Sequence, residues 1–375
     1  MDRLDHLQLN RATLDRQLLL RRATRPVRDA IEHLAGLQAQ APRAPYVGLW
    51  TRLAGFGHQD LEDLLTERIV VRAHLMRNTV HLVTAADFIS FRPLFQPIMK
   101  RALAGNFGRN LGGVDLDDLR TAAATLLAER PLTRGQLAGQ LSASWPGHDP
   151  ASLAYAATHL LQLVQVPPRG LWGRSGQATW FLASAWLPDA GLTGGGPDGP
   201  AALDLDSVLD QLVVRYLSAY GPATVRDIQA WSGLSRLREV TERLGARLRT
   251  FSGPGGAELF DLPDASRPDE DVPAPPRFLP EYDNLLLSFA DRSRVIRGTR
   301  RVPLPAGPGA TTGTVLIDGF WAADWTITRG QNRAVLEIRP FSRVSGPDAI
   351  ATEGGRLLEF AAPAAAHDIR ITPVS

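Results

Sequence analysis

The chain has 375 residues, 44% of them hydrophobic and 21% charged, with a formal net charge of +2. Such a length exceeds what one hydrophobic core usually organises, so several domains are expected. The absence of cysteine excludes disulfides, thiolate metal sites, iron–sulfur clusters and cysteine nucleophiles.

The N-terminus, MDRLDHLQLNRAT, is charged and lacks the apolar stretch of a signal peptide, and no apolar run reaches membrane-spanning length. A cytoplasmic location is expected. Apart from Lys100 the basic residues are arginines, whose planar fork of donors suits phosphates and base edges, although genome composition produces the same bias. Residues 1–110 hold sixteen Lys and Arg against ten Asp and Glu. This third of the chain is the expected phosphate-facing surface.

In chain order, NRATLDRQLLLR (10–21) reads as a short helix capped by Thr13, with Leu14, Leu18 and Leu19 as its buried stripe. A second helix follows Thr24, with Pro26 in its first turn and Val27, Ile31, Leu34 and Leu37 at helical spacing. Pro42 and Pro45 end it soon after Gln38 and Gln40. Residues 46–56 resume as a short helix or turn, and 60–68 as another helix. IVVRAHLMRNTVHLVTA then alternates as a strand, with Arg77, Thr79 and His81 on one face.

The grammar repeats. A helix over 116–130 leads to PLTRGQLAGQLS, where Thr133 caps another helix; 152–166 is a helix entering a strand, and 171–182 reads as a hairpin turning at GRSG. A Gly/Pro linker is expected over 189–200, then helices over 203–221 and 222–244. Helices feeding a strand pair make a winged-helix pattern. Beyond Pro263, short β-prone runs separated by Gly and Pro suggest a small barrel-like β domain able to fold alone. The expected fold class is therefore α+β: winged-helix modules at 1–112, 113–200 and 201–272, and a β domain at 273–375.

Standard constellations are missing. There is no His-Glu-x-x-His, no phosphate loop with lysine and no Gly-x-Ser-x-Gly elbow, and the eight histidines lack ligand spacing. No metal and no cofactor are expected. Within GLQAQAP, the pre-proline bias toward extended backbone brings Gln38 and Gln40 to the same side, where two amides converge on one point. An amide both donates and accepts, so the pair can hold a water or read a base edge. The bland alternative is a helix C-cap with solvated glutamines. His81 is the second candidate, against a histidine satisfied by backbone. Asp283, Asp318 and Asp324 read as turn formers, and Trp321 and Trp325 as core or interdomain contacts, with stacking on bases as the alternative.

LAGLQAQAP, LMRNTVHLV, ATVRDIQAWSGL, PRFLPEYDNLLLSFADRSRVI and TVLIDGFWAADW, in this order over nearly the whole chain, resemble the AlkZ/YcaQ-type DNA glycosylases. The resemblance implies three winged-helix modules around a concave DNA channel and excision of alkylated purines, especially N7-modified guanines. Opening of interstrand crosslinks and protection of producers of DNA-alkylating compounds also occur in that family. Its catalytic motif, Gln, an apolar residue, then Gln or Asp, maps to Gln38, Ala39 and Gln40, so the chain resembles the Gln-x-Gln branch and departs from the Gln-x-Asp branch; its Thr-Val-His element maps to Thr79, Val80 and His81. Gln38, Gln40 and His81 are then the candidate catalytic residues, and Arg43, Arg77, Thr79 and Arg174 the candidate DNA contacts. The implied partner is duplex DNA carrying alkylated purines, bound by a monomer. The rivals are a non-catalytic winged-helix DNA-binding regulator and a module that packs against protein.

Overall fold

The computed structural model describes residues 2–188, 204–300, 302 and 312–372. The linker expected over 189–200 lies outside the described residues. The chain forms two compact units, one of residues 1–60, 213–231 and 236–375, the other of residues 61–212 and 232–235. The fold is mixed, with helices and several sheets. No helix among the described residues is long and apolar enough to cross a membrane.

In the first unit the N-terminal helix runs His6–Arg16, earlier than expected. Asp5 caps it through a reciprocal box with Gln8, while Thr13 is buried within it. The helix Val27–His33 follows, and Ala35 and Gly36 at φ 54° and 87° turn the chain into the short strand Leu37–Gln38. Leu37 therefore leaves the helical stripe. The helix Ala44–Trp50 comes next, wholly buried.

The C-terminal strands do not close into a barrel. Arg277–Leu279, Gly313–Ile317, Phe320–Arg329, Arg333–Pro340 and Ala366–Ile371 form an open five-stranded sheet, and the last strand pairs parallel to its neighbour. A parallel pair needs a crossover, which the helix Pro347–Ala361 supplies; it also covers one sheet face, with Gly354 set close against Leu336. Nor is this sheet a separate core. Leu14, Leu19 and Leu20 from the N-terminus are buried with Leu279, Leu285, Val295, Leu316 and Trp321. Gly319, at φ 79°, leaves no room for a β-carbon, which would sit 2.5 Å from Asn10 Oδ1 and from Leu14 Cδ1.

Arginine–carboxylate pairs cross this core. Arg16 grips Asp261 bidentately at 2.6 and 2.9 Å, Arg52 grips Asp283 at 2.9 and 2.8 Å, and Arg11 reaches Asp318 at 2.5 Å. Together with Arg72 and Arg92 of the second unit, these arginines are buried. The basic excess of residues 1–110 is thus partly internal. Arg21, Arg25, Arg28, Arg43, Lys100 and Arg101 remain exposed.

In the second unit the expected single strand is a hairpin, Val70–His74 against Val80–Thr84, with Ala73 opposite His81. Arg77 and Asn78, at φ 55° and 56°, make its turn, so Arg77 stands outside the strand. Thr84 caps the long helix Ala85–Phe107. The helices Leu116–Glu129, Arg134–Ser142 and Pro150–Leu160 follow, the second opened by a capping box between Thr133 and Gln136. The strand Thr179–Leu182 pairs with Leu163–Val166, not with residues near 171. The hairpin is therefore longer than expected, and GRSG lies in its connection.

Candidate active site

Gln38 and Gln40 belong to the first unit, and their side chains meet: Gln38 Nε2 donates to Gln40 Oε1 at 2.7 Å. Strand geometry at Leu37–Gln38 explains this, because side chains two apart in extended backbone share a face. Gln38 is only 6% exposed, whereas Gln40 is exposed. The buried amide therefore anchors the outer one. Arg43, also exposed, stands at the start of the helix Ala44–Trp50.

The surroundings of this loop come from far along the chain. Asn284 Nδ2 donates to Gly36 O at 3.3 Å. Gly48, in the helix Ala44–Trp50, makes a shared floor: a β-carbon there would sit 3.3 Å from Leu37 Cδ2 and 3.7 Å from both Arg52 Nη1 and Pro280 Cγ. Arg52 also donates to Gly48 O and to Gln17, and Asp283 accepts from the backbone N–H of Leu285. Asp283 does more than form a turn, because its charge is fully committed inside the unit.

Arg77, Thr79, His81 and Arg174 lie in the second unit. Thr79 Oγ1 donates to Met76 O at 3.1 Å and closes the hairpin turn. His81 is fully buried, and its Nδ1 lies 3.0 Å from Thr79 O. A carbonyl only accepts, so Nδ1 carries the proton and Nε2 is a lone pair, without a hydrogen-bond partner among the described residues. Arg174 is exposed in the connection before Thr179–Leu182.

Burial, and then the charge of Arg77, push His81 down to about 3, so the ring is neutral near pH 7. The folded value lies below the unfolded value of about 6.5, so the unfolded chain binds the extra proton. The stabilisation is complete above pH 6.5 and is lost as pH falls toward 3. Between pH 7 and pH 5 this ring alone should remove about 2 kcal/mol of stability. Urea unfolding at the two pH values should show the loss, and His81→Gln should lessen it; an unchanged pH dependence in the variant would exclude a buried neutral ring.

Arg52 and Asp283 were not legible as neighbours, since 231 residues separate them. Only the PEYDN spacing after the β-prone Arg-Phe-Leu marked that turn at all. Among the described residues no cluster of metal-binding side chains occurs.

The family model for AlkZ-like DNA glycosylases matches residues 31–360. The solved structure of the Streptomyces sahachiroi DNA glycosylase AlkZ superposes with a TM-score of 0.75 at 20% identity, covering 99% of this chain and 100% of that one. No curated protein sequence matches the chain. At that identity the structural likeness establishes a shared fold, and the family match reaches both the paired glutamines and the hairpin of His81. The chain belongs to the AlkZ-like DNA glycosylase family, and is a DNA-acting glycosylase.

Proposed function

We propose that the protein hydrolyses the N-glycosidic bond of N7-alkylated purines in duplex DNA and leaves an abasic site. The substrates include 7-methylguanine and bulky N7-guanine adducts, and extend to the unhooking of interstrand crosslinks. The observation that carries this is the hydrogen-bonded pair of neutral amides, one buried and one exposed. Alkylation at N7 gives the base a positive charge, so it departs neutral and needs little protonation. The sugar becomes oxocarbenium-like as water attacks. Glutamine carbonyls then orient water and present negative dipole to the developing cation.

Gln40, the exposed member, positions water or sugar. Gln38 orients it from below. His81, neutral and buried, offers its unprotonated Nε2 as a hydrogen-bond acceptor only and takes no proton from the water. Arg43, Arg77, Thr79 and Arg174 contact DNA, and binding is salt-dependent. Lys100 is the chain's one lysine and lies far in sequence from the motif, so no Schiff-base lyase step is included. The proposal includes winged-helix modules at 1–112, 113–200 and 201–272, a channel for duplex DNA, a monomer and a cytoplasmic location.

The test is release of 7-methylguanine from a methylated duplex, followed by chromatography of the free base, with alkali-labile abasic sites appearing in equal number. Salt-dependent duplex binding with no base release would overturn the reading in favour of a non-catalytic DNA-binding protein.

A further inference from the structure

The two amides of the Gln38 loop carry no net charge, yet the reaction proposed for them develops a cation on the sugar and liberates a proton from water. The structure brings one carboxylate region to this loop from the C-terminal part of the chain. It is the turn after Arg277–Leu279, residues 280–284, with Glu281 and Asp283 as its two acids.

This turn is held on three sides within the first unit. Pro280 packs over Gly48 beside Leu37, the residue before Gln38. Asp283 is locked in its bidentate pair with Arg52, and both side chains are 1% exposed. Asn284 donates to Gly36 O, two residues before Gln38. Between these anchors Tyr282 is forced to φ 61°, a conformation a tyrosine rarely adopts and one that persists only where surrounding contacts impose it. The two acids therefore have different duties. Asp283 is spent on Arg52, while Glu281 is half-buried without a contact ion pair among the described residues.

We propose that Glu281 is the anionic member of this site, a carboxylate carried by the 280–284 turn that accepts the proton of the attacking water while Gln38 and Gln40 orient it. The inference rests on the glycosylase reading given above. In the step, a water oxygen forms the bond to C1′ and the C1′–N9 bond breaks. Its electron pair goes to the purine and cancels the positive charge introduced by N7 alkylation. The water proton passes to Glu281 and then to solvent, so no other co-reactant is needed.

The charges around Glu281 fit this work. Burial pushes its carboxyl up, against a hydrogen bond from its own backbone N–H and the attraction of Arg43, three residues beyond Gln40. A carboxylate so raised is a better proton acceptor than an exposed one. Tyr282 beside it is raised by burial and by Glu281 itself. Arg329, lowered by burial and then by the charge of Arg43, adds a second cation on that side. The Arg52–Asp283 pair is internally neutral.

The experiment is single-turnover release of 7-methylguanine from methylated duplex, as a function of pH, by wild type, Glu281→Gln and Glu281→Asp. Duplex affinity and Tm are measured alongside. Loss of the general base should slow Glu281→Gln by roughly 100-fold or more and remove the acid limb of the pH profile. Duplex affinity should stay within about two-fold, and Glu281→Asp should recover part of the rate with a displaced limb. Should Glu281→Gln lower Tm, Glu281→Asp decides alone: a wild-type rate with an undisplaced limb overturns the proposal. A wild-type rate and acid limb in Glu281→Gln, while the glutamine variants are inactive, overturns the role of Glu281 and leaves the glycosylase reading standing. A wild-type protein that releases no base overturns both.

Discussion

Replacing both Gln38 and Gln40 by alanine is expected to abolish release of 7-methylguanine from methylated duplex DNA while leaving most duplex affinity in place. The reason is the division between chemistry and binding. The amides act on water and sugar during bond cleavage, whereas affinity comes from cationic side chains on phosphates, which the substitutions do not touch. By analogy with loss of one preorganised transition-state hydrogen bond, each single change should cost about 2–4 kcal/mol, a slowing of roughly 30- to 1,000-fold. Because Gln38 donates to Gln40 at 2.7 Å, the two act as a unit. The double variant should therefore lose less than the two single losses added together. Gln38→Ala should harm rate more than its 6% exposure suggests, because it frees the rotamer of Gln40. Base release at the wild-type rate by the double variant would remove these residues from the mechanism. Loss of duplex affinity in parallel with rate would instead make them binding residues.

The second large effect is expected on stability, at a charge pair buried inside the first unit. Arg52 and Asp283 form a buried, bidentate pair, and Arg52 also donates to Gly48 O and Gln17. Truncating either partner strands the other's charge in the interior, where a broken pair costs about 3–5 kcal/mol. Arg52→Ala and Asp283→Ala should each lower the urea midpoint accordingly. The double replacement Arg52→Met with Asp283→Leu should be much milder than the sum, because it leaves no buried charge. A loss below about 1 kcal/mol in both single variants would show that the pair is solvated in the folded protein. Activity should fall with stability in the alanine variants, since the pair anchors the turn that stands beside Gly36 and Leu37.

How much of this was written in the amino-acid order depends on the range of the interaction. Thr133 as a cap was legible because a capping box is made within four residues, and the helices at Leu116–Glu129 and Pro150–Leu160 follow from apolar spacing alone. The approach of Gln38 and Gln40 was equally local. The backbone is extended at Leu37–Gln38, and an extended backbone puts alternate side chains on one face. Trp321 and Trp325 were legible as core from type and setting.

Local signals also misled where a stronger neighbour was present. Thr13 looked like a cap, but Asp5 and Gln8 start the helix a turn and more earlier, and a buried Thr13 then belongs to its interior. GRSG looked like a tight turn, but the partner of Thr179–Leu182 is Leu163–Val166, a choice made by cross-strand packing that turn residues do not announce. A string of short β runs is compatible with a barrel or an open sheet. The crossover helix Pro347–Ala361, which brings Ala366–Ile371 in parallel, settled it as open.

The amino-acid order by itself determined the helices with their caps, the absence of thiol chemistry, and the paired amides that mark the family. Only the tertiary structure decided which charges are available. Arg11, Arg16 and Arg52 counted toward a basic surface until their carboxylate partners, more than 200 residues away, took them inside. The same long-range contacts spent Asp283 on Arg52 and left Glu281, two residues before it in the turn, without an ion pair among the described residues. Caps and alternation arise from backbone geometry within a few residues, whereas the fate of a charge is set by desolvation and by partners that only folding brings within reach.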